Sequence, residues 1–208
     1  MPYRALFFDL GNVLVPFDFR RSYGALEACS PLTIAEMSAR LRASTLAPDY
    51  ECGRLDDGQF FQSMSALLEL ECSLDDFREI WNCIFLPPTL VPEELLVDLR
   101  PRYTLLLLSN TNAMHFEFLR RHCPHLRHFH HLILSHEVGA QKPDAAIYRQ
   151  ALEAVGVRPE EVFFTDDLQE NIEAARALGI DGEQFVGVET LEQHLRARGI
   201  LDGAGVAG

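Results

Sequence analysis

Residues 4–14 read RALFFDLGNVL. The apolar run of residues 5–8 is strand-length. It stops at Asp9 and is followed at once by Gly11. A buried strand that ends on an acid is the simplest reading, because a charged group is costly inside an apolar layer and cheap at its edge. Further along the chain the same design recurs. YTLLLL at 103–108 ends in Ser109-Asn110, HLILS occupies 131–135, and EVFFT at 161–165 ends in Asp166-Asp167. A last strand is expected near 184–188.

Helical periodicity fills the gaps between these runs. Pro92 suits a first helical position ahead of Leu95, Leu96 and Leu99. A helix is expected over about 112–122. Another is opened by Asp144 and closed by Gly156, and a third carries Ile172, Ala175 and Leu178 with Gly179 just past its end. Thr190 opens the last. Near-continuous apolar strands alternating with helices imply a parallel sheet covered on both faces, an α/β Rossmann-like fold.

Residues 16–88 break this alternation. Thr33 with Glu36 and Ser73 with Asp76 have the spacing of capping boxes, Asp56 or Asp57 can cap a third helix, and no strand-like run appears before Pro87-Pro88. The expected organisation is a core from 1–15 and 89–208, with an all-helical cap, 16–88, inserted after the first strand.

Composition narrows the function. The 208 residues are 48% hydrophobic and 24% charged, which excludes disordered, collagenous and coiled-coil chains. A net charge of −13 argues against nucleic acid and against an anionic membrane surface. The run Leu105–Leu108 is far too short for a membrane span. Cys29, Cys52, Cys72, Cys83 and Cys123 form no C-x-x-C pair and read as free thiols of a reducing compartment, so a cytoplasmic protein is expected. Of the 18 basic Lys and Arg residues only Lys142 is a lysine. A compact ammonium does what a planar guanidinium fork cannot.

In such sheets the active crevice lies beyond the carboxyl ends of the strands. Those ends carry Asp9, Ser109-Asn110, Ser135 with Lys142 beyond it, and Asp166-Asp167. One acid there is usually a helix cap. Together the set suits phosphoryl transfer: a carboxylate can attack phosphorus, carboxylates can hold Mg²⁺, and a hydroxyl with an ammonium can hold phosphate oxygens.

The order and spacing of these segments resemble the haloacid dehalogenase superfamily. Asp9-Leu10-Gly11-Asn12-Val13-Leu14 matches its first motif, LLLLSN at 105–110 its second, Lys142-Pro143 its third, and VFFTDD at 162–167, with Asn171 beyond, its fourth. The stretches FDLGNV and YECGRLDDGQFF (50–61) are similar to bacterial sugar-phosphate phosphatases and to the phosphatase domain of soluble epoxide hydrolases.

The resemblance implies a Mg²⁺-dependent phosphatase of a small phosphorylated metabolite, with a sugar phosphate as a candidate. Asp9 would be the nucleophile and a metal ligand. Asp167 and the Gly11 carbonyl would also bind the metal, with Asp166 bound directly or through water. Ser109 and Asn110 would hold phosphate, and Lys142 would orient Asp9.

One departure stands out. The family's phosphatases carry an acid/base Asp two residues after the nucleophile, where this chain has Gly11. Asp18, Glu51 or another cap residue could replace it, and the sequence does not select among them. A halide-displacing dehalogenase and a non-catalytic phosphometabolite binder are therefore alternatives.

Three further signals were weighed. Arg54, beside Gly53 in the cap, is a candidate substrate contact, against the reading of a solvated surface arginine. His115, His122, His125, His128, His130, His131 and His136 crowd one segment without zinc spacing and read as an exposed helix end and loop. Gly203–Gly208 matches G-x-G-x-x-G but follows no strand, so it reads as a tail.

Overall fold

The computed structural model describes residues 3–201; the glycine-rich stretch 203–208 lies outside them. Five parallel strands form one sheet: β1 (Ala5–Phe8), β2 (Thr104–Ser109), β3 (His131–Leu134), β4 (Val162–Asp166) and β5 (Asp181–Gln184), in the order β3-β2-β1-β4-β5. Every residue of β1 is buried, as a central strand covered on both faces requires. Its register pairs Phe8 with Leu107 on one side and with Thr165 on the other. Asp9 extends the ladder by one bond, its N–H donating to the Thr165 carbonyl at 3.0 Å.

Side-chain alternation splits the core into two layers. Leu6, Phe8, Leu105, Leu107 and Phe163 face one way; Ala5, Phe7, Leu106, Leu108 and Phe164 face the other. The helices α6 (Glu93–Leu99), α7 (Ala113–His122), α8 (Ser135–Val138), α9 (Ala145–Val155), α10 (Gln169–Ala177) and α11 (Val188–Ala197) follow the strands. Asp144 caps α9 through a bond from Ala146 N–H, and Gly156 closes it with φ +69°.

Between β1 and α6 the chain is helical: α1 (Phe19–Leu26), α2 (Ile34–Arg42), α3 (Leu46–Glu51), α4 (Asp57–Leu68) and α5 (Leu74–Asn82). Capping boxes at Thr33, Asp56 and Ser73 open α2, α4 and α5. Each such cap contributes on the order of 1 kcal/mol. These helices enclose an apolar cluster of their own around Phe60, Phe77, Trp81, Met37 and Leu68. The outgoing and returning chains meet at their base, where Phe17 bridges Phe85 and Asp18 N–H donates to the Ile84 carbonyl at 2.9 Å.

Two expectations are corrected here. The last strand is Asp181–Gln184, not 184–188. It is a polar edge strand whose acids are held by Arg198, at 2.6 Å to both Asp181 and Glu183, so no apolar run marks it. The histidine segment is not simply exposed. His115 and His125 are buried, and their Nε2–H groups donate at 3.0 Å to the Trp81 and Val91 carbonyls. His128 pairs with Glu93 and His130 Nδ1 accepts from Leu105 N–H, so these side chains act as separate clips. No described helix is long and apolar enough to cross a membrane.

Candidate active site

With β1 at the centre and β2 and β4 as its neighbours, the chain brings Asp9, Ser109 and Asp166 to one end of the sheet. Lys142, in the loop between α8 and α9, reaches into the group they form. Its Nζ donates to Asp9 Oδ1 at 2.7 Å, Asp166 Oδ2 at 2.6 Å and the Leu108 carbonyl at 2.8 Å. Those three bonds use all the protons of the ammonium. Burial alone would push its pKa down; the two carboxylates outweigh that and hold it above the ordinary lysine value.

Asp166 is heavily engaged. Its second oxygen accepts from Leu168 N–H at 2.8 Å and Asn171 Nδ2 at 2.9 Å. It is fully buried and anchors Lys142. Asp9 is buried too, and desolvation pushes its carboxyl up to about 7, against the pull of Lys142. Asp167 is less enclosed; burial raises it, while a bond from Asn12 Nδ2 at 3.2 Å works the other way.

Oxygens of Asp9, Asp166 and Asp167 lie within 4.8 Å of one another. Three carboxylates around one ammonium leave an excess of negative charge with only hard oxygen donors, a set that fits a divalent cation of the magnesium class. The groups that would hold it are Asp9, Asp167 and the carbonyl of Gly11, with Asp166, whose oxygens already accept three hydrogen bonds, bound directly or through water.

Asn110 lines the cavity, but its side-chain amide is engaged with the chain itself. Both ends of its amide grip the main chain of Lys142, donating to its carbonyl and accepting from its N–H, each at 2.8 Å. Ser109 is buried beside it, and Ser135 Oγ bonds both the N–H and the carbonyl of Thr111 at 2.9 Å.

The cluster forms the floor of a cavity of about 320 Å³. One half is polar, with Asp9, Asn12, Ser109, Asn110, Thr111, Lys142 and Asp167. The other is apolar, with Phe17, Phe19, Ile84, Phe85, Leu119 and Leu168. Glu51 and His115 complete the titratable lining. A larger depression of about 600 Å³ between α5 and α7 does not include the acid cluster. Among its lining charges Asp57 pairs with Arg78 and Glu117 with Arg121.

The remaining expected residues separate. Arg54 does not line the cavity; it is more than half exposed and pairs with Asp49 at 2.6 Å. Asp18 caps α1 and is gripped by Arg20 at 2.9 Å. Gly11 stays outside the left-handed region, so its backbone does not demand glycine. The obstacle is Phe17: a Cβ at position 11 would stand 2.6 Å from its ring. Sequence reasoning missed Phe17, Phe85 and Leu119 as cavity walls, since nothing local distinguishes them from core residues.

The chain resembles known proteins. The chain is 28% identical over 183 residues to a D-ribitol-5-phosphate phosphatase of Bacteroides thetaiotaomicron, covering 84% of this chain and 87% of that protein. It is 24% identical over 187 residues to a sesquiterpene phosphatase of Aspergillus oryzae, covering 86% and 88%. Several other curated relatives are much longer, and the chain spans about a third of them or less. Among solved structures, a HAD family enzyme of Bacteroides thetaiotaomicron in complex with magnesium and inorganic phosphate superposes with a TM-score of 0.77 at 25% identity, over 88% of this chain and 93% of that one. Residues 3–179 match the profile of the haloacid dehalogenase-like hydrolases, and the protein is a hydrolase belonging to that family.

Proposed function

We propose that the protein is a Mg²⁺-dependent phosphatase that hydrolyses a small phosphate monoester through an aspartyl-phosphate on Asp9. The observation that carries this reading is the buried ammonium of Lys142 bridging Asp9 and Asp166 beside Asp167, at the floor of a cavity. Asp9, Asp167 and the Gly11 carbonyl would hold the cation, which supplies charge neutralisation for the phosphate when bound.

The chain's own groups do the rest. Lys142 fixes one oxygen of Asp9, so the other can approach phosphorus in a single direction. Asp166 and Asn110 hold Lys142 from the side chain and the main chain respectively. Ser109 stands where a phosphate oxygen would lie. The Asp9–phosphorus bond forms as the ester bond breaks, and water then releases phosphate and returns the electron pair to Asp9.

A volume near the lower end of ligand sites supports a small metabolite. Two relatives act on a polyol phosphate and on a sesquiterpene phosphate, as their names state. The apolar wall of Phe17, Phe19, Phe85 and Leu119 supports an ester whose leaving group has an apolar body over a fully hydroxylated sugar.

The test is phosphate release from a panel of sugar, polyol, alkyl and prenyl monophosphates, with added Mg²⁺ and with excess EDTA. Asp9→Asn should lower turnover by roughly 10³-fold or more. Activity should vanish in EDTA. Full phosphate release in EDTA would overturn the Mg²⁺ requirement, halide release from a 2-haloacid with no phosphate release would favour the halide-displacing alternative, and ligand binding with no release above the Asp9→Asn control would favour a binder.

A further inference from the structure

We infer that Glu51, carried by the helical insertion, is the proton donor to the leaving oxygen, in the place left empty at Gly11. This rests on the phosphatase reading above.

An alkoxide leaving from phosphorus needs a proton, and only a group lining the cavity can deliver it. The titratable groups there are Asp9, Glu51, His115, Lys142 and Asp167. Asp9 is the attacking group. The three protons of Lys142 are directed at Asp9, Asp166 and Leu108. Asp167 belongs with the cation. His115 is stacked on Trp81, and both ring nitrogens are engaged: Nε2–H donates to the Trp81 carbonyl and Nδ1 accepts from Asn112 Nδ2, each at 3.0 Å. Glu51 alone remains, and its carboxyl has no hydrogen-bond partner among the described residues.

Its neighbours fasten it over the site. The Tyr50 hydroxyl donates to Asp57 at 2.7 Å and accepts from Met114 N–H, at the start of α7, at 3.1 Å. Cys52 Sγ donates to Gln141 Oε1 at 3.6 Å, one residue from Lys142. Gly53, with φ +67°, lies so close to the His136 carbonyl that an added Cβ would sit 2.1 Å from that oxygen. Three successive contacts thus tie the end of α3 to α4, α7, α8 and the loop that carries Lys142, and Glu51, in the same stretch, lines the cavity. Desolvation pushes its carboxyl up to about 6, so a large fraction holds a proton below neutrality. The charged groups facing α3 from its packed elements are Asp57 on α4, paired with Arg78, and His136 and Glu137 on α8. Asp9, Asp167, Lys142 and His115 face it across the cavity.

The step balances. As Asp9 bonds to phosphorus, the ester oxygen takes the Glu51 proton and departs as an alcohol. The Glu51 carboxylate then accepts a proton from the water that attacks phosphorus, and the electron pair of the breaking bond returns to Asp9.

The experiment compares wild type, Glu51→Gln and Glu51→Asp on an alkyl phosphate and on p-nitrophenyl phosphate, with circular dichroism as the folding control. Glu51→Gln should lower kcat/KM on the alkyl ester by about 10²–10⁴-fold. On the aryl ester, whose leaving group departs unprotonated, the loss should be under about 10-fold. The fall in kcat/KM above pH 6 on the alkyl ester should disappear in Glu51→Gln and persist, weakened, in Glu51→Asp. Equal losses on both esters, or a pH limb unchanged in Glu51→Gln, would overturn the assignment. Wild type that releases no phosphate from either ester would instead sink the phosphatase reading beneath it.

Discussion

The two halves of the cavity are built on opposite terms. On the strand-end half, Lys142, Asp166, Asn110 and Ser135 each have fixed partners, and the key distances fall between 2.6 and 2.9 Å. On the half supplied mainly by the insertion and its base, the lining is aromatic and aliphatic around one acid, Glu51, whose carboxyl has no hydrogen-bond partner among the described residues. A saturated network is rigid because breaking any bond leaves a buried polar group uncompensated. An apolar wall is tolerant, and it raises the pKa of any acid set into it. On the proposed reading the difference is a division of labour: the sheet would hold the attacking group in one geometry, and the insertion would set what leaves and how it is protonated.

Removing Lys142 should break the first half outright. Lys142→Met leaves Asp166 buried opposite an apolar chain, a change that costs about 3–5 kcal/mol. For a protein of this size that lowers Tm by roughly 10 °C. Phosphate release should fall by about 10³-fold. Lys142→Arg should keep the charge and most of the stability but not the activity, because a planar fork cannot aim at Asp9, Asp166 and the Leu108 carbonyl together. Thermal melts and turnover on both variants separate charge from shape; near-wild-type turnover in Lys142→Arg would show that shape is immaterial.

His115 joins the halves, since it stands on α7 and bonds α5 through Trp81. Burial holds its pKa near 4, below the ordinary 6.5. The neutral ring is the form the fold favours, so its stabilising contribution is complete above pH 6.5. It is lost progressively as pH falls from 6.5 to about 4, by about 3 kcal/mol in all. Urea midpoints at pH 7 and pH 4.5 should therefore drop further in wild type than in His115→Asn, which has no ring to protonate. Parallel drops would mean that His115 does not couple the halves to acid.

The strand-end half was legible in the sequence because its signals are local. An apolar run that stops at an acid needs no knowledge of the rest of the chain, and the helices of the insertion were legible for the same reason, since the caps at Thr33, Asp56 and Ser73 close within three residues. What stayed hidden depends on distant contacts. That the Asn110 amide grips the main chain of Lys142, 32 residues away, could not be read locally. Glu51 and Asp18 are equivalent acids in the sequence. The Cys52–Gln141 contact, across 89 residues, and the Asp18–Arg20 pair tell them apart. The edge strand β5 was misplaced because its acids answer to Arg198 rather than to an apolar layer.

The smallest effect is the most informative about the second half. Restoring an acid at position 11 looks straightforward, since the backbone there is compatible with any residue. The Phe17 ring stands in the way, at 2.6 Å from where the new Cβ would be, and must shift to admit it. Gly11→Asp alone should cost about 1–3 kcal/mol through overpacking and give no gain in turnover. Removing the ring as well, in Gly11→Asp/Phe17→Ala, opens the space for the carboxyl to reach the leaving oxygen. If Glu51 supplies the proton in the natural chain, this pair of changes should raise alkyl-phosphate turnover about 10-fold or more when added to Glu51→Gln. It should add little when Glu51 is present, because one proton is needed per cleavage. Phe17→Ala alone, which enlarges the cavity without adding an acid, should rescue nothing. Rescue by Phe17→Ala alone would mean that access limits turnover. A gain of equal size with and without Glu51 would mean that the two acids act independently and that the insertion shapes the site without protonating the leaving group.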